Sequence, residues 1–206
     1  MIAGIALGLV AAVALALRRR QERSVVEDWA ARHGWTLEAG ATEMARRLAA
    51  SALMQIGHSR RFSAIAADPH GVRLFEYGCE TGFEHDREQH RWIGVFVPVD
   101  HGRTRAVISN EEWVIAAAMQ PGYERIAPAD SSKVDTTNSQ RIALVEDGEA
   151  WRKSLNEELG RRLAAEPMQR SWQVLTGSLV GFEPAPIGDA GVTELASAGK
   201  EIARLL

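Results

Sequence analysis

The period of apolar and polar positions changes several times along this chain, and each change marks an element. Residues 1–17 carry no charge and no Pro, Asn or Gln. Seventeen helical residues reach about 25 Å, the short end of a bilayer-spanning length. The stretch predicts a transmembrane anchor, with Arg18, Arg19, Arg20 and Arg23 against Glu22 alone in the adjoining basic segment 18–23. The rival reading is a cleaved signal peptide, for which Ala14-Leu15-Ala16 supplies a small-residue site. A signal peptide carries its positive charge before the apolar run, however, and here the arginines come after it. Their position also predicts a single-pass protein whose remainder faces the cytoplasm, and the Ala richness with Lys133, Lys153 and Lys200 as the sole lysines suggests a GC-rich bacterial genome and so the bacterial inner membrane.

Beyond residue 23 the pattern predicts one domain, 24–206. Val25, Val26, Trp29, Ala30 and His33 share a helical face, opened by the capping box Ser24-x-x-Glu27 and stopped by Gly34. This helix is either separate or continuous with the anchor. A short strand over 35–38 and a helix over 42–54 come next. The period then falls to two. Strands over 61–67, 72–79 and 89–99 form a meander, with Asp68-Pro69-His70-Gly71 as a type I turn. In the third strand Ile93, Val95, Val97 and Val99 point one way, Trp92 and Phe96 the other, so it is covered on both faces.

A brief strand over 106–108 precedes a capping box, Ser109 to Glu112, and a helix to Met119. An edge strand over 123–127, a polar loop over 128–138 and a strand over 141–145 continue the chain. Trp151, Leu155, Leu159 and Leu163 mark one amphipathic helix over 148–165. A hairpin turns around Gly177-Ser178. Val192, Leu195, Ala196, Gly199, Ile202 and Ala203 line a last helix. Strands and helices come in runs, which predicts an α+β fold with an antiparallel sheet and packing helices.

Charge narrows the partners. The chain has 24 basic and 27 acidic residues, and beyond residue 23 the balance is 20 to 26. An acidic domain argues against nucleic acid, whose binding begins with a basic face. It also argues against lying flat on anionic lipid, a role left to the juxtamembrane arginines. The single cysteine, Cys79, excludes an internal disulfide.

Asp28-Trp29-Ala30-Ala31-Arg32-His33-Gly34-Trp35 just after an anchor, the Leu74-Phe75-Glu76-Tyr77 strand, a mid-chain helix, and Trp172-Gln173-Val174 with Gly177-Ser178-Leu179-Val180 before a final helix together resemble an uncharacterised family of small bacterial membrane-anchored proteins. The resemblance implies the membrane placement and the α+β fold. It implies no activity and no site. The match is poorest over the loop at 128–138 and the strand after it.

Candidate chemistry is sparse. In the anchor, Gly4, Gly8, Ala12 and Ala16 fall four apart on one stripe, the spacing by which helices approach closely in lipid and form a homodimer. An Ala- and Gly-rich anchor also produces this spacing by chance. Glu80, Glu84, His85, Asp86, Glu88 and His90 crowd the tip of the meander. Of these, Glu80, His85 and His90 are candidate metal or catalytic groups, set against the plain reading of a solvated hairpin tip. Cys79 with His85 or His90 suggests a thiolate–imidazole pair, set against a buried strand cysteine. Glu76 and Arg91 are a candidate cross-strand pair. Six tryptophans either pack the core or line a pocket, and Trp29 and Trp35 suit a bilayer surface. No dinucleotide, P-loop, zinc-protease or nucleophile-elbow motif is present in the sequence, and no cofactor is implied. The expected role is therefore a membrane-tethered interaction domain for an unidentified protein partner. The alternatives are binding of a lipid or apolar small molecule, and an enzyme using the hairpin cluster.

Overall fold

The computed structural model describes residues 24–99, 104–118, 123–126 and 142–206. They form an α+β fold built on one antiparallel sheet of nine strands in the order β1-β2-β3-β4-β9-β8-β5-β7-β6. The strands are β1 (Thr36–Leu37), β2 (His58–Ala67), β3 (Arg73–Thr81), β4 (Glu88–Pro98), β5 (Ala106–Ser109), β6 (Glu124–Ile126), β7 (Ile142–Val145), β8 (Ser171–Leu175) and β9 (Ser178–Pro184). The helices are α1 (Val25–His33), α2 (Ala41–Arg47), α3 (Glu112–Ala118), α4 (Gly148–Ser154), α5 (Glu157–Ala164) and α6 (Asp189–Leu205). Among the described residues no helix is long and apolar enough to cross a membrane. The expected anchor, its stripe Gly4, Gly8, Ala12 and Ala16, and the flanking Arg18, Arg19, Arg20 and Arg23 lie outside the described residues, as does the loop at 128–138.

The sheet buries apolar residues on both faces. One face packs α1, α4, α5 and α6 through Trp29, Trp151, Leu159, Leu195 and Ile202 against Leu74, Ile93, Val95 and Trp172. The other packs α2 and α3 through Met44, Leu48, Val114 and Ile115 against Phe75, Tyr77, Trp92 and Phe96. The two-faced pattern expected of 89–99 is realised in β4, which lies between β3 and β9. Its pairing with β9 joins the meander to the C-terminal hairpin, from Trp92 opposite Pro184 to Pro98 opposite Ser178.

Local chemistry explains the boundaries. Ser24 caps α1: its Oγ accepts from the Val26 and Glu27 amides at 3.1 and 3.4 Å. Its own backbone is extended (φ −66°, ψ 135°), so α1 begins here and does not run on through Ser24 as a continuous helix. Gly34 ends α1 in the left-handed region, at φ 71°. The Asp68 turn forms as expected. The Gly71 amide donates to the Asp68 carbonyl, and the Asp68 carboxylate accepts from the His70 and Val72 amides. Burial alone raises that carboxyl; contact with Lys200 of α6 at 2.7 Å and the two amides outweigh it and hold it below its ordinary value.

Three helices depart from the expected pattern. The stretch at 42–54 breaks after Arg47 and resumes as a single 3-10 turn, Ala52–Gln55. The Gln173 side chain, from β8, accepts from the Ala52 amide at 2.9 Å and so takes a donor that a continuous helix would use. The helix at 148–165 is two helices. Leu155 is extended, and Asn156 caps α5 by accepting from the Leu159 amide at 2.7 Å. The apolar stripe survives the break, since Trp151, Leu155, Leu159 and Leu163 all reach one core. At α3 the start is two positions late, at Glu112: Ser109 lies in β5, and its Oγ accepts from the Glu111 amide.

Candidate functional site

Strand length opens a groove at one edge of the sheet. β1 covers two positions of its neighbour, with Thr36 opposite Ala67 and Leu37 opposite Ala66. One further bond extends the pairing, from the Glu38 amide to the Ile65 carbonyl at 2.9 Å. The chain then turns away through Gly40 into α2. β2 runs on without that partner as far as His58, so among the described residues its outer edge from His58 to Ser63 faces no strand. Along this edge the register with β3 slips between His58 and Arg61 and between Phe62 and Ala64, and Ser59 sits at φ 51°. Such bulges twist an edge and re-aim its side chains.

A groove of about 570 Å3 opens where β1 leaves off, between residues 38–43 and residues 62–65. Its lining mixes apolar Phe62, Ala64 and Ile65 with polar Thr42, Glu43 and Ser63. Phe62 is half-buried, with its ring 5.8 Å from that of Phe75 and 5.2 Å from that of Tyr77. The groove's carboxylates are already matched. Glu38 accepts from Arg73 at 2.8 Å, and Glu43 accepts from Arg47 at 2.8 Å and from Arg46. Arg60 and Arg61, exposed on the same edge, have no carboxylate partner among the described residues.

The hairpin cluster behaves differently. Register sets Cys79 opposite His90 and Glu80 opposite Gln89. Alternation along the strands then sends Glu80 and His90 to opposite faces of the sheet. Glu80 lies 3.5 Å from Arg87 and 3.8 Å from His58. His90 bonds Thr81 at 2.7 Å and stacks on Trp92. His85 is exposed on the turn Glu84–Asp86. The three do not converge, and among the described residues no group of three His, Cys, Asp or Glu is placed to hold a metal. Cys79 and His90 do face one another across the ladder. Burial pushes the Cys79 thiol up; Arg60 opposes this and Glu80 adds to it, and the net direction is upward. The buried thiol therefore stays protonated near neutrality, which disfavours a thiolate–imidazole pair.

Glu76 and Arg91 are in contact, although their ladder partners are Ile93 and Gly78, so they meet on a diagonal. Glu76 is buried and also accepts from the Ser24 hydroxyl at 2.5 Å, which ties the start of α1 to the sheet. Trp29, Trp92, Trp151 and Trp172 are buried in the two cores; Trp35 and Trp113 are half-buried. Trp29 is thus unavailable to a bilayer surface, and its indole donates to Thr193 of α6 at 2.8 Å. The groove leaves one sign in the sequence: a strand-like pattern of only a few residues before a far longer one.

No family model matches the sequence, and no curated protein does. In fold the chain is similar to the mycobacterial trehalose monomycolate transport factor A, TtfA, known from its crystal structure, with a TM-score of 0.60 and 12% sequence identity. The likeness covers 87% of this chain and 91% of that one.

Proposed function

We propose that this chain is a non-enzymatic accessory factor, tethered to the cytoplasmic face of the bacterial inner membrane by residues 1–17, whose domain holds a protein partner there. The observation that carries the reading is the groove that the described residues form at the rim of the sheet. The groove lies at the outer edge of the sheet, beside β2, while the described helices meet both faces of the sheet through side chains buried in two apolar clusters. A groove beside an unpaired sheet edge suits an extended segment of another protein, which adds to the edge as a strand. Tethering raises the effective concentration of a partner held in the same membrane, so a small contact suffices. The resemblance to small membrane-anchored proteins supports the tether. The fold shared with a transport factor for trehalose monomycolate suits a narrower reading, an accessory role in lipid transport.

Carbonate extraction and protease treatment of intact spheroplasts test the placement. The full chain stays with the membrane at high pH, and its domain survives protease until the spheroplasts are lysed. Release by carbonate, or digestion in intact spheroplasts, overturns the tethered cytoplasmic reading.

A further inference from the structure

We infer that the outer edge of β2 receives an extended, acidic segment of the partner protein as an additional strand. This rests on the interaction reading above and names the surface and the chemistry of the segment that binds.

The slot has the shape of a missing strand. β1 occupies its first two positions, and the groove continues in line where β1 turns off. Residues 62–64, the part of its inner wall beyond the Glu38–Ile65 bond, span about 10 Å at a strand's rise, so about three residues of a guest fit beside them and more along 58–61. An unpaired edge offers backbone donors and acceptors to any extended chain, and the pocket beside it selects the side chains. Here that selection is apolar at Phe62 and positive along the strand. With Glu38 and Glu43 neutralised by Arg73, Arg46 and Arg47, the exposed Arg60 and Arg61 leave the rim basic on a domain that is acidic as a whole. Arg61 and Phe62 are consecutive in regular register and point to opposite sides, so a guest alternating apolar and carboxylate residues matches that pair, with Arg60 adding positive charge at the bulge.

The test is hydrogen exchange on the full chain in nanodiscs of zwitterionic lipid. The probe is a hexapeptide alternating valine and glutamate. Two controls accompany it: the same peptide N-methylated at alternate residues, and one with lysine for glutamate. The acidic peptide is expected to slow exchange across residues 58–65, the N-methylated peptide to fail, and the lysine peptide to bind about tenfold more weakly or worse. Arg60→Glu with Arg61→Glu is expected to reverse the preference between the two charged peptides while exchange in β4 and β9 stays unchanged. The lysine peptide carries the charge comparison even where that double variant folds poorly. Protection elsewhere, or equal binding of the N-methylated peptide, overturns strand addition. Failure of every peptide also overturns it, and assigns the bulges and arginines to blocking pairing alone. Protection of the same residues by anionic nanodiscs without peptide overturns it in favour of a lipid surface. Each of these leaves membrane tethering, read by protease, standing or falling separately.

Discussion

Arg170→Met is expected to destabilise the folded domain by about 3–5 kcal/mol, the range found when one partner of a buried ion pair is removed. Arg170 is 1% exposed at the start of β8. Its guanidinium donates to Glu183 at 2.7 Å and to Glu166 at 2.8 Å, and reaches Glu194 at 3.4 Å. Burial pulls its pKa down, but the two glutamates outweigh that and raise it, so the group stays cationic. Glu166 also accepts from the Trp172 indole at 3.2 Å and contacts Arg162. Glu183 is itself buried and meets no other cation among the described residues. Removing the arginine leaves a carboxylate in an apolar setting. Urea unfolding monitored by tryptophan fluorescence reads the loss. Adding Glu183→Gln to the same chain is expected to recover part of it, because the uncompensated charge goes with it. A loss below about 1 kcal/mol for Arg170→Met contradicts the buried lattice.

Gly181→Val is expected to cost about 3 kcal/mol, at the upper end of what overpacking a core does. The sign is the informative part. Valine ordinarily favours a strand over glycine. Gly181, however, lies opposite Trp172 in the β8–β9 hairpin, and a Cβ built on it lands well inside van der Waals contact with three carbons of the indole. Trp172 is fully buried and lies over the backbone of Gly181. Gly94 of β4 does the same for Phe75 on the other face. Each glycine makes room for a large ring, so the central strands bring in bulk from their neighbours. Thermal unfolding of the full chain checks this: a lower melting temperature is expected for Gly181→Val, and an unchanged or higher one contradicts the close approach.

Much of the fold is legible in the sequence because its causes are local. The two apolar rows of β4, the Asp68 turn, the stop at Gly34 and the stripe of α6 all arise from residues a few positions apart. The features that are not legible depend on distant partners. Nothing near Ala52 announces that Gln173 will accept its amide. Glu166, four positions before Arg170, does not announce its burial, since the other carboxylates come from β9 and from α6. Asn156 is a cap hidden inside an unbroken apolar stripe. The polar residues at the hairpin tip look like a site because they are close in sequence, and strand alternation then parts Glu80 from His90. The candidate groove shows the opposite case. Its residues at 38–43 and 62–65 are distant in sequence, and only the short reach of β1 leaves the edge of β2 open between them.

The edge of β2 as the place of contact is tested most directly in living cells. A photo-crosslinking amino acid replaces Ser63 on that edge in one full-length chain and Ser197, on the exposed side of α6, in another. The expected result is a discrete protein adduct from position 63, absent from position 197 and reduced when Arg60 and Arg61 are changed to glutamate. Adducts from 197 alone, or lipid as the sole adduct at 63, contradict it.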